Sequence, residues 1–300
     1  MTQPHRVAAV LTTFRPDSSV LSRIETISGM VDQVVVVDDT GFGNQSSFAQ
    51  PVWPTNVVLI INETNVGIAA ALNNGVKRAL LDGADYVLTL DQDTSVSRAL
   101  VQKLLQAGPQ LGPDSPFLIA APRTVNGYEY KCVHGVSGNQ CSVETIQSGM
   151  LFHSSAFHEI GYFREELFID GVEADYLIRM HRAERHVLLL NGVDLEQPLG
   201  NPFMLRAFGR TIRSNNHPPF RRYYITRNRL VLVREHWRRE PEWARVAINR
   251  LLRQSLRAAI VEPGRRQKIR AMAVGALHSI TGRMGPLPPP RHPPIDRAIA

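Results

Sequence analysis

Two aspartates one residue apart, Asp91 and Asp93, close the run Tyr86-Val87-Leu88-Thr89-Leu90-Asp91-Gln92-Asp93-Thr94. The run is apolar and rich in branched residues, as a strand buried on both faces must be. Carboxylates at the C-terminal end of such a strand stand where open α/β sheets hold their ligands. At i, i+2 spacing both can turn toward one hard cation. Mg²⁺ or Mn²⁺ takes a few carboxylates and completes its shell with phosphate oxygens, so the chemistry indicated is a nucleoside diphosphate site. The competing reading is structural: Asp and Thr are good helix N-caps, and the triplet by itself does not choose between the two.

The elements before it have the pattern that would position such a site. Arg6–Thr13 reads as a first strand, opening into Phe14-Arg15-Pro16-Asp17. A helix from about Ser19 to Met30 follows, with Leu21, Ile24 and Ile27 on one face. Gln33-Val34-Val35-Val36-Val37-Asp38-Asp39 is a second buried strand that ends in acids, and Asn56–Ile61 is a third. Between the second and third lies a Gly- and Asn-rich connection from Thr40. Asn65-Val66-Gly67-Ile68-Ala69 starts a helix whose small residues permit close backbone approach. Strands alternating with helices at this spacing predict βαβ units and a mostly parallel sheet. No GxGxxG follows the first strand and no GxxxxGK[ST] occurs, so the dinucleotide and P-loop readings lack their motifs.

Composition narrows the class. At 43% apolar and 20% charged, the 300 residues have the make-up of a globular protein, not a disordered one. Residues 206–300 hold 21 Lys and Arg against 5 Asp and Glu, whereas residues 1–205 hold 13 against 22, an acidic body with a basic tail. Such a tail suits nucleic acid, an anionic membrane face or phosphorylated substrates. No helix-turn-helix, zinc-finger or RNP signature accompanies Tyr223, Tyr224, Trp237 and Trp243, which argues against nucleic acid. Two cysteines make no disulfide framework, and Cys132, His134 and Cys141 lack paired CxxC spacing for zinc. With no signal-peptide apolar region and no run of about 18 apolar residues, a cytoplasmic protein without a membrane span is expected.

As a set, the residues Val10 to Arg15, Val36-Val37-Asp38-Asp39, Asn65-Val66-Gly67-Ile68-Ala69 with Asn73, and the DxD of Asp91-Gln92-Asp93 resemble the GT-A glycosyltransferases of family 2. Gln147-Ser148-Gly149-Met150, Ile160 to Glu173 and Arg222-Tyr223-Tyr224-Ile225-Thr226-Arg227-Asn228 are similar to the rhamnosyltransferase branch, and the match covers about residues 6–230. The resemblance implies an α/β, Rossmann-like GT-A sheet flanked by helices, with a basic helical extension. Its expected divisions are a catalytic domain at 1–205 (nucleotide-sugar half 1–95, acceptor half 96–205), a basic helical region at 206–284 and a Pro-rich tail at 285–300. The activity implied is inverting transfer of L-rhamnose from dTDP-L-rhamnose to a cell-surface glycan or lipid-linked saccharide. A UDP- or GDP-sugar enzyme and a non-catalytic nucleotide-sugar-binding relative are the alternatives.

On that resemblance Thr12, Arg15, Asp38, Asp39, Asn65, Gly67 and Asp91 would line the nucleotide-sugar pocket, and Asp93 with Asp91 would hold Mg²⁺ or Mn²⁺. Ser148, Gly149, Asp170, Arg179 and Gln197 would contact the acceptor or diphosphate. Glu173 and Asp175 sit at the start of a helix read over Tyr176–His181, where the dipole favours negative charge. Inversion needs a carboxylate to take the acceptor proton, and Glu173 is the expected base with Asp175 as competitor. The chain departs from the family's pattern at two places: Val172-Glu173 stands where an ED pair is usual, and Gln197 where His is common. Beyond Arg206, helical tracts broken at Pro241 and Pro263-Gly264 interleave Val246, Leu251, Leu252, Leu256 and Ile260 with arginines. That pattern suits peripheral contact with an anionic membrane face, or packing on the catalytic body or in a homo-oligomer.

Overall fold

The computed structural model describes residues 5–42, 53–129, 140–141, 145–197, 203–207 and 210–287. Cys132, His134, Gly200 and most of the Pro-rich tail lie outside the described residues.

The first half follows the pattern set by its periodicity: β1 (Val7–Thr13), α1 (Ser19–Ser28), β2 (Gln33–Asp38), β3 (Val57–Ile61), α2 (Ile68–Leu81), β4 (Tyr86–Asp91) and α3 (Arg98–Ala107). Next come β5 (Phe117–Val125), short β6 (Tyr128–Glu129) and β7 (Gln140–Cys141), β8 (Met150–His153), α4 (Ser155–Glu159), α5 (Val172–Arg182) and β9 (His186–Leu195). The hairpin β10 (Phe203–Ala207) and β11 (Arg210–Ser214), which the sequence pattern does not signal, leads to α6 (Pro219–His236), α7 (Pro241–Ile260) and α8 (Arg265–Thr281).

Among the described residues nine strands form one sheet in the order β3-β2-β1-β4-β8-β5-β9-β7, with β6 pairing to β5. β1 lies between β2 and β4, parallel to both, and β8 enters antiparallel to β4 and β5. The chain runs outward from β1 through β2 to β3 and then returns to β1's other side. This reversal opens a crevice at the carboxyl ends of β1 and β4. In that register Thr12 is level with Asp91, and Thr13 with Asp38, so the acids of β2 and β4 share an edge with the end of β1.

The continuous apolar runs follow from burial on both faces. Val10, Val35 and Val37 enter the core beneath α2 and α5, while Ala9, Leu11, Val34 and Val36 meet Val20, Ile24 and Ile27 of α1 and Leu100 and Leu104 of α3. α2 lies close on the sheet because position 75 is glycine: a Cβ there would stand 2.4 Å from Val10 Cγ1 and 3.0 Å from Val37 Cγ2. The basic C-terminal region is a packed unit in which α6 rests on α7 and α8. Its arginines are only partly solvated, since Arg222 and Arg227 are buried. Burial disfavours ionisation of Glu262, but Lys268, Ser214 and Arg222 outweigh it and hold the carboxyl below its usual range. Glu262 accepts from Lys268 Nζ at 2.7 Å and pairs with Arg222 and Ser214, which ties β11, α6 and α8 together.

Candidate active site

The helix after β4 is capped by Ser97, whose hydroxyl accepts from Leu100 N at 3.1 Å, so Asp91 and Asp93 are not its caps. The turn that follows Asp91 is held from several sides. Asp91 N donates to Ser148 Oγ at 3.0 Å, and that hydroxyl lies 2.6 Å from Thr94 Oγ1. Gln92 Oε1 accepts from Phe14 N at 2.7 Å and its carbonyl accepts from Arg23 Nη1 at 2.9 Å, which locks the turn to the end of β1. The Asp91 carboxylate accepts from Gln147 Nε2 and, at 2.7 Å, from Gln197 Nε2. Gln197 arrives from 106 positions away because Ser95 N donates to Glu196 O and joins the end of β9 to the turn. Burial foremost, then the charge of Asp93, pushes the half-buried Asp91 up to about 7. Burial also raises Asp93, against the pull of Arg23 and Arg221.

The opposite wall is the segment Leu167–Gly171 and the start of α5. Phe168 (φ 66°), Asp170 (φ 65°) and Gly171 (φ 85°) all have left-handed backbone, a conformation that non-glycine residues keep only when their surroundings impose it. Asn228 of α6 imposes it here. Its Nδ2 donates to the carbonyls of Leu167, Ile169 and Asp170 at 2.9, 2.8 and 2.7 Å. Arg227, fully buried, donates to Leu167 O at 3.0 Å and to Glu166 O at 3.2 Å. Gly67 closes the same region: any Cβ would lie 2.5 Å from the Phe168 ring.

Glu173 follows directly on this clamp, and burial raises its pKa, with Asp170 adding to the effect. Arg221 of α6 joins the two walls. Its Nε donates to both Asp170 oxygens at 3.1 Å, and its guanidinium acts electrostatically on Glu173 and Asp91. The charge of Glu173 also adds to the upward push on Asp91, so the two carboxylates lie within electrostatic reach of one another. Beside Glu173 is a cavity of about 110 Å³ lined by Asp170, His217, Arg229, Trp243 and Gln254 among others. Burial and Arg221 push His217 down to about 4, which leaves it neutral at pH 7.

Several expected site residues have other partners. Asp39, buried, accepts from Asn62 Nδ2, Val66 N and Gly67 N at 2.9 Å each, and its pKa is raised by burial. Asp38 has no exposed surface and accepts from Thr40 N at 3.0 Å. These hydrogen bonds tie both acids to the loops around the crevice. Asn65 Oδ1 accepts from Gly67 N, an Asx turn. Ser148 is internal to the Asp91 turn, and Gly149 packs under Leu195. Asp170 is bound to Arg221 rather than open to an acceptor. Arg179 is committed to Asp175 at 2.9 Å and to the carbonyls of Ile160 and Tyr162, and Arg164 also approaches Asp175. The competing base is therefore a buried ion pair, and Arg179 is its counter-ion. Thr12 lies at the crevice floor, while Arg15 is exposed, with its guanidinium 5.2 Å from the Phe14 ring centre. Arg221, Gln147 and Asn228 were not singled out as site residues; the runs Gln147–Met150 and Arg222–Asn228 contain the last two, and nothing in the pattern marked Arg221.

Among the described residues no group of three His, Cys, Asp or Glu can hold a metal unaided. The donor set at the turn nevertheless suits one. Asp91 and Asp93 offer carboxylates, and the buried Oε1 atoms of Gln147 and Gln197 have no hydrogen-bond partner. Hard oxygens in this number are what Mg²⁺ or Mn²⁺ takes when phosphate oxygens complete its shell.

The comparisons agree with this geometry. Residues 18–159 match the model of Glycosyl transferase family 2. The chain is 29% identical over 247 residues to dTDP-rhamnosyl transferase RfbF of Shigella flexneri, covering 77% of this chain and 80% of that protein. It is 23% identical over 193 residues to the uncharacterized protein MJ0544 of Methanocaldococcus jannaschii, 59% of this chain and 82% of that one. Its fold is like that of S. aureus TarS residues 1–349, with a TM-score of 0.54 at 12% identity, covering 93% of this chain and 82% of that one. The mostly parallel sheet, the crevice at its carboxyl edge and these likenesses point the same way: residues 18–159 are similar to glycosyl transferase family 2, and most of the chain is similar to a glycosyltransferase of that kind.

Proposed function

We propose that the chain is an inverting, divalent-metal-dependent transferase that moves L-rhamnose from dTDP-L-rhamnose to a hydroxyl of a cell-surface glycan or lipid-linked saccharide. The observation that carries this reading is that Asp91 and Glu173 lie within electrostatic reach of one another, with Arg221 acting on both while its Nε holds Asp170. The choice of donor rests on the likeness to a dTDP-rhamnosyl transferase.

Asp91 and Asp93 would hold Mg²⁺ or Mn²⁺. When bound, the ion supplies a Lewis acid that neutralises the departing diphosphate. Glu173 accepts the acceptor hydroxyl's proton as that oxygen attacks the anomeric carbon, and the bond from that carbon to the dTDP oxygen breaks on the opposite face. A carboxylate with a raised proton affinity is a better base than an ordinary surface glutamate. Arg221 fixes Asp170 at the turn before Glu173 and adds positive charge beside the leaving group. The cavity beside Glu173 receives the acceptor saccharide: buried Trp243 Nε1 and Gln254 Oε1, which have no hydrogen-bond partner there, can pair with sugar hydroxyls.

The test is a thermal-shift series with dTDP, UDP and GDP, with and without Mn²⁺. Stabilisation should be largest with dTDP and should require the metal. Asp93→Ala should abolish the metal dependence. A metal-independent shift, or one that favours UDP or GDP, refutes the metal or the donor assignment respectively.

A further inference from the structure

We propose that the outward face of α7 docks the protein on an anionic lipid surface. The inference is independent of the donor and of the base.

α7 is amphipathic in an unusual sense. Trp243, Ala244, Ala247, Leu251 and Ala258 form its buried side against the molecule. On a 3.6-residue period, the direction opposite their mean holds Leu252, Leu256 and Ile260. These are 62%, 61% and 62% exposed, and Ile248 at 38% extends the same i, i+4 row. Arg253 and Arg257 run along one edge of that row and Arg245 lies within it, between Leu252 and Leu256; all three are exposed. α8, which packs on α7, repeats the composition with exposed Ile269, Leu277 and Ile280 and exposed Arg265, Arg266 and Arg270.

A solvated helix face has no reason to place its largest aliphatic side chains farthest from the core. The occupant must bring apolar material to the centre of the row and negative charge to its edges. An anionic bilayer surface does both, since aliphatic side chains enter the acyl boundary while arginines meet headgroup phosphates. A second copy of the same face would set Arg245, Arg253 and Arg257 against like charges, which disfavours an isologous dimer. Nucleic acid would leave the leucines unmatched. Among the described residues no helix is long and apolar enough to cross a membrane, so the contact is one of lying on the surface. The inward side of the same helix supplies Trp243 and Gln254 to the cavity beside Glu173, so docking brings that cavity close to the lipid plane.

The full chain is sedimented with vesicles of phosphatidylcholine alone and of phosphatidylcholine mixed with phosphatidylglycerol. Binding should be strong only with the anionic mixture and should fall as salt rises. Arg253→Ala should weaken it roughly five-fold. The double change Leu252→Asp with Leu256→Asp should remove it, while the thermal shift with dTDP and Mn²⁺ stays that of the parent and so reports an intact fold. Three results overturn the proposal: no binding to either vesicle, equal binding by the parent and the double variant, or a dimer abolished by the double change in a protein that ignores vesicles.

Discussion

Glu173 and Asp175 are two positions apart on one helix, yet their surroundings give them opposite roles. Asp175 is held by Arg179 and Arg164, whereas Glu173 lines the cavity beside α6 and α7 with burial opposing its charge. Glu173→Gln keeps shape and removes the base, so the transfer rate should fall by about 10² to 10⁴-fold with the dTDP and Mn²⁺ thermal shift retained. Because the base must be ionised and its proton affinity is raised, kcat/KM should climb with pH through a limb above the ordinary glutamate range. A limb at the usual carboxylate value would show that another group is the base. Asp175→Asn should act on stability instead, because it leaves two guanidinium groups short of their buried partner.

Among the elements, α6 has the largest effect on the site although it lies outside the matched family segment. Its Asn228 satisfies three carbonyls of a turn that contains two non-glycine residues at positive φ. Asn228→Ala should cost about 2 to 4 kcal/mol in urea unfolding and should raise KM for the acceptor, since the turn carries Glu173. On the other side of the sheet, Gly75→Val would drive methyl groups into Val10 and Val37. A loss of about 1 to 3 kcal/mol should appear as a lower denaturation midpoint with unchanged slope.

For the whole molecule, the acidic body and basic tail signalled by charge counting are one packed structure. Glu262 lies where β11, α6 and α8 meet, with two buried cations on it. Glu262→Gln should destabilise the fold by about 3 to 5 kcal/mol, measured as a fall in the thermal midpoint, because it leaves Arg222 and Lys268 buried without their counter-charge. An unchanged midpoint would show that the C-terminal helices are held by apolar packing alone.

Much of this was legible in the residues. Period-two and unbroken apolar runs, β-branched at Val34 to Val37 and at Val87, determine a sheet buried on both faces, because no helix or exposed strand tolerates them. Acids at the ends of β2 and β4 mark its ligand edge for the same local reason. What the sequence could not determine is which carboxylate is free. Asp38, Asp39, Asp91, Asp175 and Glu173 are alike as letters, and each role depends on which partners the fold sets beside it, from 2 to 106 positions away. Asn62 and Gly67 engage Asp39, Arg179 engages Asp175, and Gln197 reaches Asp91. Side-chain chemistry and spacing are local properties, whereas desolvation and counter-charge depend on what the folded chain brings alongside. Only the tertiary structure decides those.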